Sequence, residues 1–299
     1  MKPKILKFDF NNENKSSVMS VRQNVLSKIL EGQWTTSYKG QGMEFSEYRA
    51  YVYGDDATTI DWKASLKSGE TLAKEFEQER SAEAVFLFDV GDSMLFSSRK
   101  DGKMKVEYAG DLILSTAKAI LTSGHAVGMI MFGDKLHAKI KPNIGLSVAN
   151  SFKSTLEEVE NYGGKFNFQK AMSLLLNTQY QRLVVIIVSD FINLPKTWYK
   201  YIEILNQKYE VIGIMIRDHR DRFLPHGGQI VLQHPSGQEV IYVDAAEYTK
   251  KFHEQIMEDE EFIKKKFKVA QAELLRLETT QNGFVKLVKF FNKRIVVNR

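Results

Sequence analysis

EAVFLFDVGDS, residues 83–93, decides the fold of this chain. Ala84 to Phe88 is an apolar run of strand length with nothing polar in it, and it ends abruptly in Asp89. Such a run reads as a strand covered on both faces, as in a parallel sheet with helices above and below. A second run of the same form, Leu183 to Val188, ends in Ser189 and Asp190. A carboxylate at the carboxyl end of a parallel strand faces the crevice where open α/β sheets bind ligands. Two buried strands that each deliver an Asp to the same sheet edge are therefore the first candidate site.

Outward from these strands the pattern alternates. Ala109, Leu112, Ile113, Thr116, Ala117, Ile120 and Leu121 share one helical face, and Gly124 predicts the stop. Val127–Phe132 and Lys135–Lys141 read as strands joined at Gly133-Asp134, a hairpin and hence an antiparallel edge. Phe152, Leu156 and Val159 mark a helix; Phe168, Met172, Leu175 and Leu176 mark another; Trp198, Ile202 and Leu205 a third. Val211–Ile216 is the fifth strand. The fold class predicted is α/β: a doubly wound, mostly parallel sheet in the order 3-2-1-4-5. Its winding reverses between the strands that end at Asp89 and Asp190.

Four segments are expected: a flexible N-terminus at 1–17, a strand-rich appendage at 18–80, the sheet domain at 81–228, and a hairpin with a helical extension at 229–299. The appendage opens with helical spacing from Val18 to Leu30. Leu72 to Glu79 reads as an exposed strand, with Leu72 and Phe76 inward if it has one buried face. Ile230–Leu232 and Val240–Val243 flank Pro235-Ser236-Gly237, a hairpin signal. In the helical stretch after Asp244, Glu260 and Glu261 stand four residues before Lys264 and Lys265, an order that favours ion pairs.

Composition narrows the function. The chain has 299 residues, 43% hydrophobic and 26% charged, which is ordinary for a globular protein. With no cysteine there is no disulfide framework, no thiolate metal site and no cysteine nucleophile. Lys+Arg number 42 against 37 Asp+Glu, an excess too thin to imply nucleic-acid binding. No apolar run reaches the roughly 18 residues of a membrane helix, and the N-terminus lacks the apolar core of a signal peptide, so a cytoplasmic protein is expected. The last segment carries Lys286, Lys289, Lys293, Arg294 and Arg299 among apolar residues. It reads as an amphipathic helix with a solvated basic face, weak contact with a membrane surface being the alternative. The six histidines show no metal-ligand spacing, with His219 and His226 the one pair near each other, and there is no P-loop, GxGxxG or GxSxG.

GQGMEFSEYRAYVYGDDATTIDWKASLKSGETLAKEFEQER, residues 40–80, followed by the strand that ends at Asp89, resembles the bacterial and archaeal Domain of Unknown Function 58 family. YVYGDDATTIDW, residues 51–62, is the most specific part. That family is similar to von Willebrand factor type A domains, and its members commonly lie beside MoxR-type AAA+ ATPases. The resemblance implies a protein-binding adaptor rather than an enzyme. It also implies a metal-ion-dependent adhesion site, where Mg²⁺ or Mn²⁺ bridges to a partner's carboxylate. Asp89, Ser93 and Asp190 match that site. Gly91 stands where its first Ser belongs, and Lys165 or Phe166 where its Thr belongs. Asp92 and Asn167 are the candidate replacements, and Lys165 is a candidate fixed charge in place of the ion. Burying two carboxylates without an ion or a donor is costly, so some compensator is required.

Three readings follow. The first is an adaptor that binds partner carboxylates at Asp89, Ser93 and Asp190. The second is a metal-dependent hydrolase using the same carboxylates, with Asp92 and Asp134 as further candidates. The third is a structural domain with a dead metal site that binds a partner through its appendage. There the candidate partner-binding residues are Arg49, Tyr53, Asp55, Asp56, Asp61 and Trp62, against the plainer reading of an ion-pair lattice within the appendage.

Overall fold

The computed structural model describes residues 5–10, 43–78, 83–100, 102–180, 183–225, 227–233 and 240–297. The helix expected from Val18 to Leu30 lies outside them, as does His226. The chain divides into two compact units, Leu30–Ser81 and Met1–Ile29 with Ala82–Arg299.

In the smaller unit, β1 (Met43–Ala50), α1 (Trp62–Ser68) and β2 (Leu72–Gln78) follow in order, and the two strands pair antiparallel. The register shifts between Phe45 and Glu47, a bulge in the ladder. On β2 Ala73 is buried and Leu72 half-buried, while the side chain of Phe76 lies outside those described. The helix α1 was not foreseen: at seven residues it is too short to show a period.

The larger unit carries β3 (Glu83–Asp89), α2 (Lys105–Thr122), β4 (Ala126–Phe132), β5 (Leu136–Asn143), α3 (Leu146–Glu157), α4 (Phe168–Leu176), β6 (Leu183–Ser189), α5 (Trp198–Lys208) and β7 (Glu210–Arg217). The hairpin β8 (Gln229–Gln233) and β9 (Val240–Asp244) comes next, then α6 (Ala245–Val269), β10 (Glu273–Glu278) and α7 (Gly283–Val297). The sheet runs β5-β4-β3-β6-β7-β10, with only the β4–β5 pair antiparallel. This is the expected mixed α/β class and order, with β10 added beyond the fifth strand.

Burial follows the alternation of the strands. Val85, Leu87, Val185 and Ile187 share one core with Phe168 and Met172 of α4, Trp198 and Ile202 of α5, and Phe267 of α6. On the other face Phe86 meets Phe152 of α3 edge-on, with ring centroids 6.4 Å apart. At Gly213 of β7 an added Cβ would lie 2.7 Å from the Phe267 ring and 2.8 Å from Leu274. Bare backbone there lets α6 and β10 close on the sheet. Residues 5–10 lie on α2: the Asp9 amide donates to Asp111 Oδ1 at 2.9 Å, and the Phe8 ring fills the space a side chain at Gly110 would need.

The C-terminal region is helical at α6 and α7, as expected, but not throughout, because β10 joins the sheet between them. Glu260 departs from the expected pairing with Lys264. It is buried, and its carboxylate meets Arg276 at 2.8 Å, Arg222 at 3.1 Å and Arg217 at 3.5 Å. Lys264 pairs instead with Glu261, at 3.1 Å. On α7, Phe284, Leu287 and Phe291 are buried while Lys286, Lys289 and Lys293 are exposed, the amphipathic arrangement predicted. Among the described residues no helix is long and apolar enough to cross a membrane.

Candidate functional site

The sheet register pairs Phe88 with Val188, which brings Asp89 beside Ser189 at the carboxyl ends of β3 and β6. Both Asp89 and Asp190 are buried, at 1% and 0% exposure. Asp89 is bound on both oxygens: Oδ1 accepts from the Gly91 amide at 2.9 Å, and Oδ2 from the Ser189 hydroxyl at 2.6 Å. Asp190 Oδ1 accepts from the Ile192 amide at 3.0 Å. Its Oδ2 accepts from the Lys105 ammonium at 2.8 Å.

Lys105 is the compensator that the buried carboxylates require. It opens α2, is 1% exposed, and donates also to Asp221, at 2.9 Å to Oδ2 and 3.2 Å to Oδ1. The candidate Lys165 is exposed and does not take this place. Burial presses the Lys105 pKa down, but Asp190 and Asp221 outweigh it and the pKa is raised. Burial presses the Asp190 pKa up, but the Lys105 charge and hydrogen bond outweigh it and the pKa is lowered. Among the described residues Asp89 has no such cation in contact. Burial, followed by the charge of Asp190, pushes its carboxyl up to about 8. The edge thus holds an ion pair and, beside it, a carboxyl that favours its proton.

These residues do not fit a divalent cation. Mg²⁺ demands near-octahedral oxygens and usually keeps several waters. Here Asp190 is already bound to an ammonium, whose repulsion a doubly charged ion would meet at close range. The neighbouring positions are filled as well. A Cβ at Gly91 would lie 3.1 Å from each of Asp89 Oδ1, the Gly164 carbonyl and the Phe166 amide. The 163–166 loop lies across this glycine, held by Asp92 N to Gly164 O at 2.8 Å and Gly163 N to Val90 O at 2.8 Å. Gly164 itself has φ +83, and a side chain there would run into Asp134. The candidate replacement ligands have other work. Asp92 Oδ1 accepts from the Gly164 amide at 3.0 Å, and Asn167 Oδ1 caps α4 by accepting from the Lys170 amide at 3.1 Å. Ser93 is half-buried and makes none of the bonds that hold Asp89 and Asp190. Asp134 is mostly exposed and pairs with His137 at 3.3 Å.

In the smaller unit the acidic candidates are tied internally. Asp55 takes a two-pronged bond from Arg49, at 2.6 and 2.9 Å, and this is the main reason its carboxyl is lowered to about 2. Asp56 accepts from the Thr58 amide and hydroxyl, closing the turn. Asp61 caps α1 through the amides of Lys63 and Ala64, and reaches Tyr48 and Lys74 with its other oxygen, each at 3.0 Å. The cap is the larger part of what lowers it to about 2, with Lys74 next. Tyr53 and Trp62 are different: they are 100% and 67% exposed, with Val52 at 61% and Leu66 at 87% near them in sequence.

Residues 47–262 match the family described as "Protein of unknown function DUF58". The chain belongs to that family. A relative, the uncharacterised protein Rv1480 of Mycobacterium tuberculosis, is 25% identical over 221 residues, which is 72% of this chain and 67% of the relative. Two solved structures are similar. BatB from Bacteroides thetaiotaomicron has 15% identity, a TM-score of 0.44, and coverage of 73% of this chain and 100% of that one. A von Willebrand factor type A protein from Catenulispora acidiphila has 7% identity, a TM-score of 0.35, and coverage of 76% and 44%.

For this DUF58 chain, sequence reasoning missed Lys105 and Asp221. One signal was available. A lysine in the first turn of a helix opposes the helix dipole, which favours anions there. Such a lysine, followed by Val106, Tyr108 and Ala109, is placed for burial against a carboxylate.

Proposed function

We propose that this chain is a non-enzymatic protein–protein interaction module, acting in the cytoplasm as an adaptor or partner of a MoxR-type AAA+ ATPase. It docks through the smaller unit, with Tyr53 and Trp62 as anchors. The observation that carries this reading is the division of labour in the block from Arg49 to Leu66. Its charged residues hold the turn and the helix, while Val52, Tyr53, Trp62 and Leu66 stand exposed. Large aromatic side chains, once covered, supply most of the energy in many interfaces. The sheet-edge carboxylates are engaged internally and offer a partner neither a bridging cation nor an acid–base pair. Of the readings left open by the sequence, binding through the appendage is therefore the one supported.

The test is a titration of the MoxR-type ATPase of the same organism with wild type and with Tyr53→Ala/Trp62→Ala. Binding should weaken at least tenfold, about 1.4 kcal/mol, while the melting temperature holds, since neither side chain is buried. Equal affinity of the variant would reject the reading.

A further inference from the structure

We propose that the Lys105 ammonium is a tethered replacement for a bound cation, closing the carboxyl edge of the sheet with a charge carried on the chain itself. The edge is then permanently occupied and indifferent to divalent metal. The inference does not depend on which partner the chain binds.

Three observations converge. The first is place. Lys105 meets Asp190 at the switch point between β3 and β6, where the winding of the sheet reverses and where an α/β sheet ordinarily opens a binding crevice. The second is engagement. The Lys105 ammonium is buried and bound to two carboxylates at once, Asp190 through Oδ2 and Asp221 through both oxygens. It is not presented to an incoming carboxylate. The third is closure. The Phe96 ring lies 5.8 Å from the ammonium, and the Phe96 carbonyl accepts from the Lys105 amide at 3.0 Å, so the loop before α2 is folded over the charge. The loop across Gly91 fills the adjoining space. The lysine thereby joins the start of α2, the end of β6 and the turn after β7, three segments that a bound ion would otherwise have to gather.

The experiment has two arms. In the first, wild type is melted in Mg²⁺, in Mn²⁺ and in EDTA, and titrated with Mn²⁺ while the free ion is followed by electron paramagnetic resonance. Coincident melts and no saturable binding at this edge are expected. A rise in melting temperature that EDTA removes and Asp190→Asn abolishes would overturn the proposal. The second arm is a cycle of Lys105→Met, Asp190→Asn and the double variant. Lys105→Met leaves Asp190 and Asp221 without their ammonium and should lower the melting temperature by at least about 6 °C, while Asp190→Asn leaves Lys105 its pair with Asp221 and should lower it by less. The double variant should fall by clearly less than the two losses added. Additive losses would overturn the proposal. If Lys105→Met alone fails to fold, recovery of a cooperative melt in the double variant is the supporting result, and failure of the double variant as well, with Asp190→Asn folded, the opposing one.

Discussion

Restoring the hydroxyl that an adhesion site would carry, by Gly91→Ser, sets two accounts of this edge against each other. If the glycine marks only a missing ligand, serine should be tolerated and a Mg²⁺ response should appear. The geometry argues otherwise. Gly91 has φ −66 and ψ 169, which any residue adopts, so the backbone itself gains from a side chain. Removing glycine's freedom at a compatible site is worth about 0.4–1 kcal/mol. Against this, the Cβ would stand 3.1 Å from three atoms at once, two of them backbone atoms of the 163–166 loop. That loop is pinned to Val90 and Asp92, so it cannot withdraw without breaking those bonds. Overpacking of this kind costs typically about 1–3 kcal/mol. The mid-range net loss is about 1.3 kcal/mol, or roughly 3–5 °C in melting temperature for a unit of this size. The assay is a melt followed by circular dichroism in Mg²⁺ and in EDTA. The variant should melt below wild type by that amount in both. A cation present at a hundred times its Kd would add about 2.7 kcal/mol. A variant that melts at or above wild type, or gains a Mg²⁺-dependent rise of several degrees, refutes the reasoning.

Two further outcomes follow. Asp89 keeps its proton up to about pH 8 in the folded chain but loses it near the ordinary 3.8 when unfolded, so between these values the folded state binds more protons. The stability it contributes is complete below the lower value and is lost as pH rises through the upper one. Asp89→Asn, which cannot ionise, should therefore gain on wild type in urea titrations as pH climbs from about 5 to about 8; parallel profiles would count against the assignment. Beside the carboxyl end of β7, Glu260→Gln strips the charge that faces Arg217, Arg222 and Arg276 and should cost about 3–5 kcal/mol. Glu261→Gln, one residue on but exposed, should cost under about 1 kcal/mol by the same assay. Equal losses would show that the buried cluster is not what holds α6.

The buried strands β3, β6 and β7 were legible because the strands of a doubly covered sheet are written as unbroken apolar runs, and their order followed from the alternation with helices. Asp89 and Asp190 were legible as the polar residues at which two runs stop. What satisfies them was not. Lys105 lies far from Asp190 in sequence, and Asp221 lies beyond a further strand, so their meeting is a product of the fold and leaves no local spacing. The strand β10 was missed for a related reason. ELLRLE is short and follows a long helical stretch, and its strand character comes from pairing with β7 rather than from its own pattern. In the smaller unit the turn at Gly54-Asp55 was readable, but the sequence could not separate the aspartates that cap and pair from the aromatic residues that stand exposed.

The late position of β10 has a consequence for synthesis. Until Glu273–Glu278 has emerged from the ribosome, β7 has only β6 on one side, and its other row of amides and carbonyls faces open water. Between Glu210 and Arg217 every side chain of β7 is apolar and destined for burial. An open apolar strand edge is a template for another chain. A chain truncated before Glu273 would thus have as its first available pairing one with its own kind, and the nascent chain must be kept apart from its neighbours until β10 arrives.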